Sequence, residues 1–197
     1  MTTEIEKRIH LNNLRVERSS ESTKIRGYAA VFNSLSEDLG GFLEQISPGA
    51  FVDAIARDDV RALINHDSNL VLGRNRSGTL VMREDATGLG IEITPPDTQA
   101  ARDLVELMGR GDVTQMSFAF SVSKEDQSWE QSGAGPWIRT VHKVARLYDV
   151  SVVTYPAYPS TSAAIRALEE YRAKAGPPKS CAKMRSHLLT VLELWRS

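Results

Sequence analysis

The sequence predicts an α+β fold in which a mostly antiparallel sheet, or a small β-barrel, is surrounded by a few helices. Short stretches of alternating apolar and polar residues recur along the chain between turn-forming residues, which is typical of antiparallel strands. Stretches with helical spacing are interleaved with them rather than collected in a block. The chain has 197 residues, 41% apolar and 25% charged, which is ordinary for one soluble globular domain with a buried core.

The strands are predicted where short apolar stretches alternate with polar residues. They cover residues 13–16, 25–32, 60–65, 80–83, 89–93, 115–120, 137–144 and 147–154. Two stretches rich in polar residues and glycine, 33–43 and 124–136, are predicted to be loops.

Three helices are predicted from capping residues and apolar spacing. Ser47 can cap the free N–H groups of a first helix that runs to about Arg57, and Pro48 suits its first turn. The other two are predicted over residues 100–108, ending at Gly109, and from Thr161 or Ser162 to about Arg172.

The composition divides the chain into three parts. Residues 1–23 form a polar N-terminal segment, residues 24–172 form the domain, and residues 173–197 form a linker with an amphipathic tail. The linker contains Gly176-Pro177-Pro178, and the tail has apolar residues at helical spacing over His187–Trp195. We expect the tail to dock either on a partner or on its own domain.

Charge and cysteine content exclude several classes of protein. The net charge of −1 gives no broad electrostatic case for binding nucleic acid. A single cysteine, Cys181, cannot form an intramolecular disulfide, so a secreted disulfide scaffold is not expected. The first ten residues are charged, which predicts no secretory signal, and no stretch approaches the ~20 apolar residues of a membrane span. These features predict a protein kept in the cytoplasm of its host cell.

The strand around Ser117 is the first candidate for chemistry. Met116, Phe118 and Phe120 fall on one face of this strand, whereas Ser117 and Ala119 fall on the other. A small hydroxyl opposite a bulky apolar stripe could point into an open cleft. A lone serine in a strand is more often structural, so this pattern alone does not predict catalysis.

Two further stretches supply the groups that a serine nucleophile needs. The first, Ala62 to Asp67, ends in Asn65-His66-Asp67, and the second, Leu147 to Pro159, contains Asp149 in a β-rich setting. Serine needs a base within hydrogen-bond reach, and that base needs an orienting partner. The structural alternatives are a capping or surface role for His66 and an ion pair of Asp149 with Arg146 or Arg166.

The order of these motifs resembles that of the prohead maturation proteases of tailed phages, the caudoviruses, which are serine peptidases distantly similar to the herpesvirus assemblins. The resemblance covers about residues 24–170. Its motifs are Arg26-Gly27-Tyr28-Ala29-Ala30-Val31-Phe32, Ile46-Ser47-Pro48-Gly49-Ala50-Phe51, Asn65-His66-Asp67, Met116-Ser117-Phe118, and Asp149-Val150-Ser151 followed by Pro156-Ala157. It implies an assemblin-like β-barrel ringed by helices, and it favours catalysis over the structural alternatives.

The resemblance implies a role for each candidate residue. Ser117 would be the nucleophile, His66 the general base and acid, and Asp149 the group that orients His66. His142 is the second candidate for the third role, because assemblins use a second histidine there. Oxyanion donors could come from backbone N–H groups or arginine side chains between Arg139 and Arg146.

Other chemistries are weaker alternatives. His66, Asp67, His142 and Asp149 could form a hydrolytic metal site, but the chain lacks the helical His-Glu-x-x-His pattern and paired cysteines. Asp67, directly after the base, is expected to be a cap or a surface charge. Cys181 lies in the polar tail, so a cysteine nucleophile is disfavoured, and no cofactor or metal is expected.

The resemblance also implies partners and a location. The substrates would be the scaffold segment of the major capsid protein and the protease itself, cleaved inside the immature capsid, or prohead, in the host cytoplasm. Self-association is expected, and neither nucleic acid nor membrane is an expected partner. The alternative function is a non-enzymatic capsid assembly or scaffold protein with the same fold.

Overall fold

A computed structural model of the chain describes residues 4–11, 14–19, 22–131, 133, 135–155 and 162–175. In chain order the strands are β1 (Glu6–Leu11), β2 (Arg15–Arg18), β3 (Thr23–Val31), β4 (Phe42–Ile46), β5 (Arg61–Ile64), β6 (Asp67–Arg74), β7 (Leu80–Glu84), β8 (Gly88–Ile93), β9 (Gln115–Ser121), β10 (Gln127–Gln131), β11 (Trp137–Val141) and β12 (Arg146–Val153). The helices are α1 (Val52–Arg57), α2 (Gln99–Arg110) and α3 (Ser162–Ala175). Helix α3 continues to Ala175, so residues 173–175 of the predicted linker are helical, and the rest of the predicted linker and tail, residues 176–197, lies outside the described residues.

The strands form three sheets. Their strand orders are β1-β9-β12-β5-β6, β2-β3-β8-β7 and β10-β11-β4. Within the described residues every pair of neighbouring strands is antiparallel except β4–β11 and β5–β12. The prediction of a mostly antiparallel α+β fold is therefore confirmed.

The predicted small barrel is not formed by the described strands. A barrel requires that the two edge strands of a sheet pair with each other. In the five-stranded sheet the edges are β1 and β6, and these strands are not hydrogen-bonded neighbours. The described sheets are open, and the barrel alternative was wrong for this part of the chain.

Several strands were not predicted because their sequences are polar. Strand β10 lies inside the predicted loop 124–136, and Trp129 is its one buried residue. Strand β1 lies in the segment that was predicted to hold only a short strand at 13–16, yet it pairs with β9 along its whole length. Alternation of apolar and polar residues cannot reveal a strand whose inward side chains are charged.

The first helix starts later than predicted. It begins at Val52, and Ser47 lies in the preceding turn, where Gly49 has a φ of +90°. The carboxylate of Glu84 accepts hydrogen bonds from the N–H groups of Gly49 and Phe51. Glu84 of β7 therefore holds the turn that leads into this helix, and Phe51, not the predicted Ser47, occupies the N-cap position.

The second helix has a regular cap at each end. Thr98 accepts a hydrogen bond from the N–H of Ala101. Gly111, with a φ of +83°, closes the helix through its N–H, which donates to the carbonyls of Leu107 and Met108. The last helical residue is therefore Arg110, and the closing glycine is Gly111 instead of the predicted Gly109.

The main core lies against the apolar face of β9. Met116, Phe118 and Phe120 are fully buried, as their alternation predicts. The Phe118 ring lies 5.5 Å from that of Phe51 and 4.8 Å from that of Phe120, so the turn before α1 packs directly on this strand. This packing holds one face of β9 still and leaves Ser117 on the opposite face.

A second contact between sheets is ionic. Glu6 and Arg8 of β1 meet Glu44 of β4 and Arg139 of β11, and all four side chains are at most 4% exposed. The Arg139–Glu6 and Arg8–Glu6 distances are both 2.6 Å. The cluster balances two positive with two negative charges, which burial of charge requires. It ties β1, the neighbour of the Ser117 strand, to the three-stranded sheet.

Candidate active site

The pairing of β9 with β12 brings Ser117 opposite the acidic stretch. Ser117 pairs with Ser151, and Ala119 pairs with Asp149. Residues opposite each other in a ladder point to the same face, so these four side chains share one face of the sheet. A one-residue bulge at Tyr148 lets Leu147 join the core on the other face while Asp149 stays beside Ser117.

His66 is presented by a two-residue turn between β5 and β6. Ile64 pairs with Asp67, so Asn65 and His66 form the whole connection. Their φ angles are +52° and +58°, the positive pair that a type I′ hairpin turn requires. Asparagine and histidine tolerate this conformation better than most residues. The turn follows β5, which lies beside β12, so the imidazole comes to the edge of the Ser117 face.

Three predicted residues meet in one hydrogen-bonded chain. His66 Nε2 lies 2.7 Å from Ser117 Oγ, and His66 Nδ1 lies 2.7 Å from Asp149 Oδ1. An ionised carboxylate can only accept, so Nδ1 carries the hydrogen and Nε2 is left to accept the Ser117 hydroxyl proton. This is the order of contacts that activates a serine hydroxyl.

The site is largely buried. Ser117 has no exposed surface, and the side chains of His66 and Asp149 are 6% and 13% exposed. The expected open cleft at Ser117 was therefore wrong, because both faces of β9 are covered. Burial strengthens the hydrogen bonds that join Ser117, His66 and Asp149.

The structural alternatives for Asp149 do not form. Arg146 lies over the ring of Tyr148, with its guanidinium carbon 4.8 Å from the ring centre, and Arg166 pairs with Glu4. Asp149 instead accepts hydrogen bonds from His66 and Ser151. A carboxylate at a largely buried position needs such partners.

His142, the second candidate for the third role, lies elsewhere. Its Nδ1 contacts Ser47 Oγ at 3.2 Å and its Nε2 contacts Ser128 Oγ at 2.8 Å, at an exposed position. Both ring nitrogens are thus engaged outside the contacts of His66. The geometry assigns the contact with His66 Nδ1 to Asp149.

The region expected to supply oxyanion donors is already hydrogen-bonded. The N–H groups of His142, Val144, Ala145 and Leu147 donate to Asp126, Ala50, Ser121 and Asp58, respectively. The guanidinium of Arg139 is held by Glu6 and Glu44 in the buried cluster. These backbone groups and the Arg139 guanidinium are therefore engaged within the fold, and the described contacts do not identify an oxyanion donor.

No metal cluster is formed by the described part of the chain, where no three His, Cys, Asp or Glu side chains gather as ligands. Asp67, one member of the hypothetical metal set, accepts hydrogen bonds from the backbone and side-chain N–H groups of Asn69. It closes a local turn, in line with the expected cap. Cys181 lies outside the described residues.

Ser151 is a site residue for which no role was predicted from the sequence. Its Oγ lies 2.7 Å from Asp149 Oδ1 and 3.3 Å from His66 Nδ1. Strand alternation with Asp149 placed it on the same face in principle, but the bulge at Tyr148 obscured which face that was.

The described helices include none long and apolar enough to cross a membrane.

Comparison with known proteins finds a curated relative of the chain. The chain is 35% identical to the prohead protease of Enterobacteria phage HK97 over 136 residues, which are 66% of this chain and 54% of that protein. It thus spans about half the length of this relative. No solved structure matches the chain.

A family model agrees with the resemblance inferred from the motifs. The model described as caudovirus prohead serine protease matches residues 11–174, which include Ser117, His66 and Asp149. The match also includes β2 and reaches the end of α3. The chain belongs to the caudovirus prohead serine protease family.

Proposed function

We propose that the chain is a serine endopeptidase in which Ser117 is the nucleophile, His66 the general base and acid, and Asp149 the orienting carboxylate. The observation that carries this proposal is the unbroken chain of two 2.7 Å contacts from Ser117 through His66 to Asp149. Family membership supports the same chemistry. The arrangement needs no cofactor, since each group has the partner that its role requires.

In the proposed reaction, Ser117 Oγ attacks the scissile carbonyl and forms a C–O bond while its proton passes to His66 Nε2. Asp149 stabilises the imidazolium that results. When the tetrahedral intermediate collapses, the C–N bond breaks and His66 returns the proton to the leaving amine. A water molecule then attacks the acyl-enzyme, His66 takes its proton, and Ser117 leaves with that proton as the acid product is released.

The proposed substrates are the scaffold segment of a phage major capsid protein and the protease itself. This proposal is supported by the family and by the relative from phage HK97, whose name is prohead protease. Cleavage would take place inside the prohead in the host cell, where the protease would self-associate and contact the capsid protein. A distant kinship with assemblins remains part of the proposal, supported by the order of the motifs.

We propose residues 24–172 as the protease domain, together with β1. The supporting observations are the pairing of β1 with the Ser117 strand and the buried contacts of Glu6 and Arg8. Removal of the first eleven residues should therefore destabilise the domain.

Co-expression with the capsid protein from the same phage tests the function. Mass spectrometry before and after co-expression should show a shortened capsid protein, and a fluorophosphonate probe should label Ser117. An intact capsid protein and an unlabelled, folded chain would overturn the proposal in favour of a non-enzymatic assembly protein. Inactivation by a chelator would instead indicate a metal-dependent hydrolase.

A further inference from the structure

We infer that Ser151 is a positioning residue that holds the Asp149 carboxylate and, through it, the orientation of the His66 imidazole. The inference rests on the proposed function. Ser151 touches neither the nucleophile's oxygen nor a substrate in the proposed reaction. It would act through the pair that it contacts.

The contacts of Ser151 converge on one atom. Its Oγ lies 2.7 Å from Asp149 Oδ1, which is the same oxygen that lies 2.7 Å from His66 Nδ1. The Oγ is also 3.3 Å from His66 Nδ1. The three atoms form a closed triangle of polar contacts, and Ser151 itself has no exposed surface. Water therefore does not compete for the hydroxyl.

The directions of these hydrogen bonds follow from the ionisation of Asp149. The carboxylate can only accept, so the Ser151 hydroxyl donates to Oδ1. With that proton donated to Asp149, Ser151 Oγ can serve as a second, longer acceptor for the hydrogen on His66 Nδ1, 3.3 Å away. Both contacts favour the tautomer with hydrogen on Nδ1, which leaves Nε2 free to accept from Ser117.

The register of the sheet fixes Ser151 in this position. Ser151 lies directly opposite Ser117 in the β9–β12 pair and opposite Leu63 in the β12–β5 pair. Its strand is bonded on both sides, so its backbone has little freedom. A short side chain on a rigid strand can hold a carboxylate more exactly than a loop residue can.

Ser121 provides a matched control. It is a second buried serine on the same face of β9, 2% exposed, and it pairs with Arg146 rather than with a residue of the Ser117–His66–Asp149 chain. Substitution of either serine by alanine removes one hydroxyl from the same sheet. A difference between the two variants therefore reports the contact with Asp149 and His66 rather than general packing.

The experiment measures how fast a fluorophosphonate labels Ser117 as a function of pH, together with the fraction of chains that is labelled at completion. Full-length wild type, Ser151→Ala, Ser151→Thr and Ser121→Ala are compared. Ser151→Ala should label about tenfold to a hundredfold more slowly, the effect expected for one lost hydrogen bond to a charged group. Ser151→Thr keeps the hydroxyl and should retain most of the rate.

The pH profile separates positioning from packing. Ser151→Ala removes a hydroxyl that contacts both Asp149 Oδ1 and His66 Nδ1, so the acidic limb of the pH profile should shift in this variant and stay in place in Ser121→Ala. A purely structural effect would lower the labelled fraction and leave the limb in place.

The possible results distinguish a failure of the Ser151 inference from a failure of the proposed function. A Ser151→Ala variant with the rate and profile of Ser121→Ala overturns the inference while the function stands. A lowered labelled fraction with an unmoved limb also overturns it. If wild type is not labelled, or Ser117→Ala is labelled equally fast, the proposed function itself fails.

Discussion

Asn65 and Thr154 join the turn that carries His66 to the end of the strand that carries Asp149. Asn65 Oδ1 accepts the N–H of Thr154 at 2.9 Å, and Asn65 Nδ2 lies 2.9 Å from Thr154 Oγ1. The backbone N–H of Asn65 also donates to the carbonyl of Val152. The base and the carboxylate are therefore held on one rigid unit, although 83 residues separate them in the chain.

Substitutions at Asn65 should separate the effect of this anchor from that of backbone conformation. Asn65→Gly removes the side-chain bonds but accepts a positive φ, and it should label with fluorophosphonate about fivefold more slowly, as expected when about 1 kcal/mol of anchoring is lost. Asn65→Ala should label equally slowly and lose a further ~1–2 kcal/mol of unfolding free energy, because alanine disfavours a positive φ. Urea denaturation measures the second effect. Equal stability of the two variants would contradict the strained-turn interpretation.

Loss of the nucleophile should abolish chemistry without disturbing the fold. Ser117→Ala removes one oxygen from a buried strand position, and cleavage of the co-expressed capsid protein should fall by several orders of magnitude. Ser121→Ala, on the same face of the strand, should cleave normally. Processing by folded Ser117→Ala at the rate of Ser121→Ala would refute the assignment.

Substitutions of Asp149 and His142 should differ sharply in their effect on the cleavage rate. Asp149→Asn can no longer stabilise the His66 imidazolium, and its amide can favour the wrong tautomer, so cleavage should fall by up to about 10⁴-fold. His142→Gln should cleave within about threefold of wild type, because His142 contacts Ser47 and Ser128 and an exposed polar substitution changes little. Gel-based cleavage rates of the folded variants decide the matter. The opposite ranking would move the third role to His142.

The sequence predicted the apolar face of β9 and the three residues of the hydrogen-bonded chain because these depend on local pattern and motif order. Alternation placed Met116, Phe118 and Phe120 on one face, and all are buried. It could not predict that the Ser117 face is also covered, since that depends on which elements pack over it. Burial is a property of the tertiary contacts and not of the strand itself.

The sequence could not predict β1 for a related reason. Glu6 and Arg8 read as surface charges, yet the structure buries them against Glu44 and Arg139, which are 36 or more residues away. A charged residue is usually exposed unless it is paired, and pairing across sheets leaves no local signal. The contact of Glu84 with the turn before α1 could not be predicted either, because Glu84 lies on a distant strand.

The buried cluster should make stability depend on pH through Glu6. Burial alone would raise the pKa of the Glu6 carboxyl, but the charges and hydrogen bonds of Arg139 and Arg8 lower it below its ordinary value of 4.5. A group with a depressed pKa stabilises the fold above its unfolded pKa, and this contribution is lost as the pH falls through the folded value. The contribution of Glu6 to the free energy of unfolding should therefore be constant from pH 7 to about pH 5 and decrease below about pH 4.5.

Glu6→Gln tests the cluster against an exposed ion pair of equal length. The Arg139–Glu6 pair and the Arg26–Glu17 pair are both 2.6 Å long, but the side chains are 1% and 4% exposed in the first and 44% and 50% in the second. Glu6→Gln leaves two buried arginines to share the single carboxylate of Glu44, so it should destabilise the domain by about 3–5 kcal/mol at pH 7. Glu17→Gln should cost at most about 1 kcal/mol, because water screens the exposed pair.

Urea denaturation at pH 7 and pH 4 measures the stability of both variants. The loss of stability on acidification should be smaller in Glu6→Gln, because this variant has no carboxyl to protonate at position 6. Similar destabilisation by the two substitutions would show that β1 is not held by the buried charges.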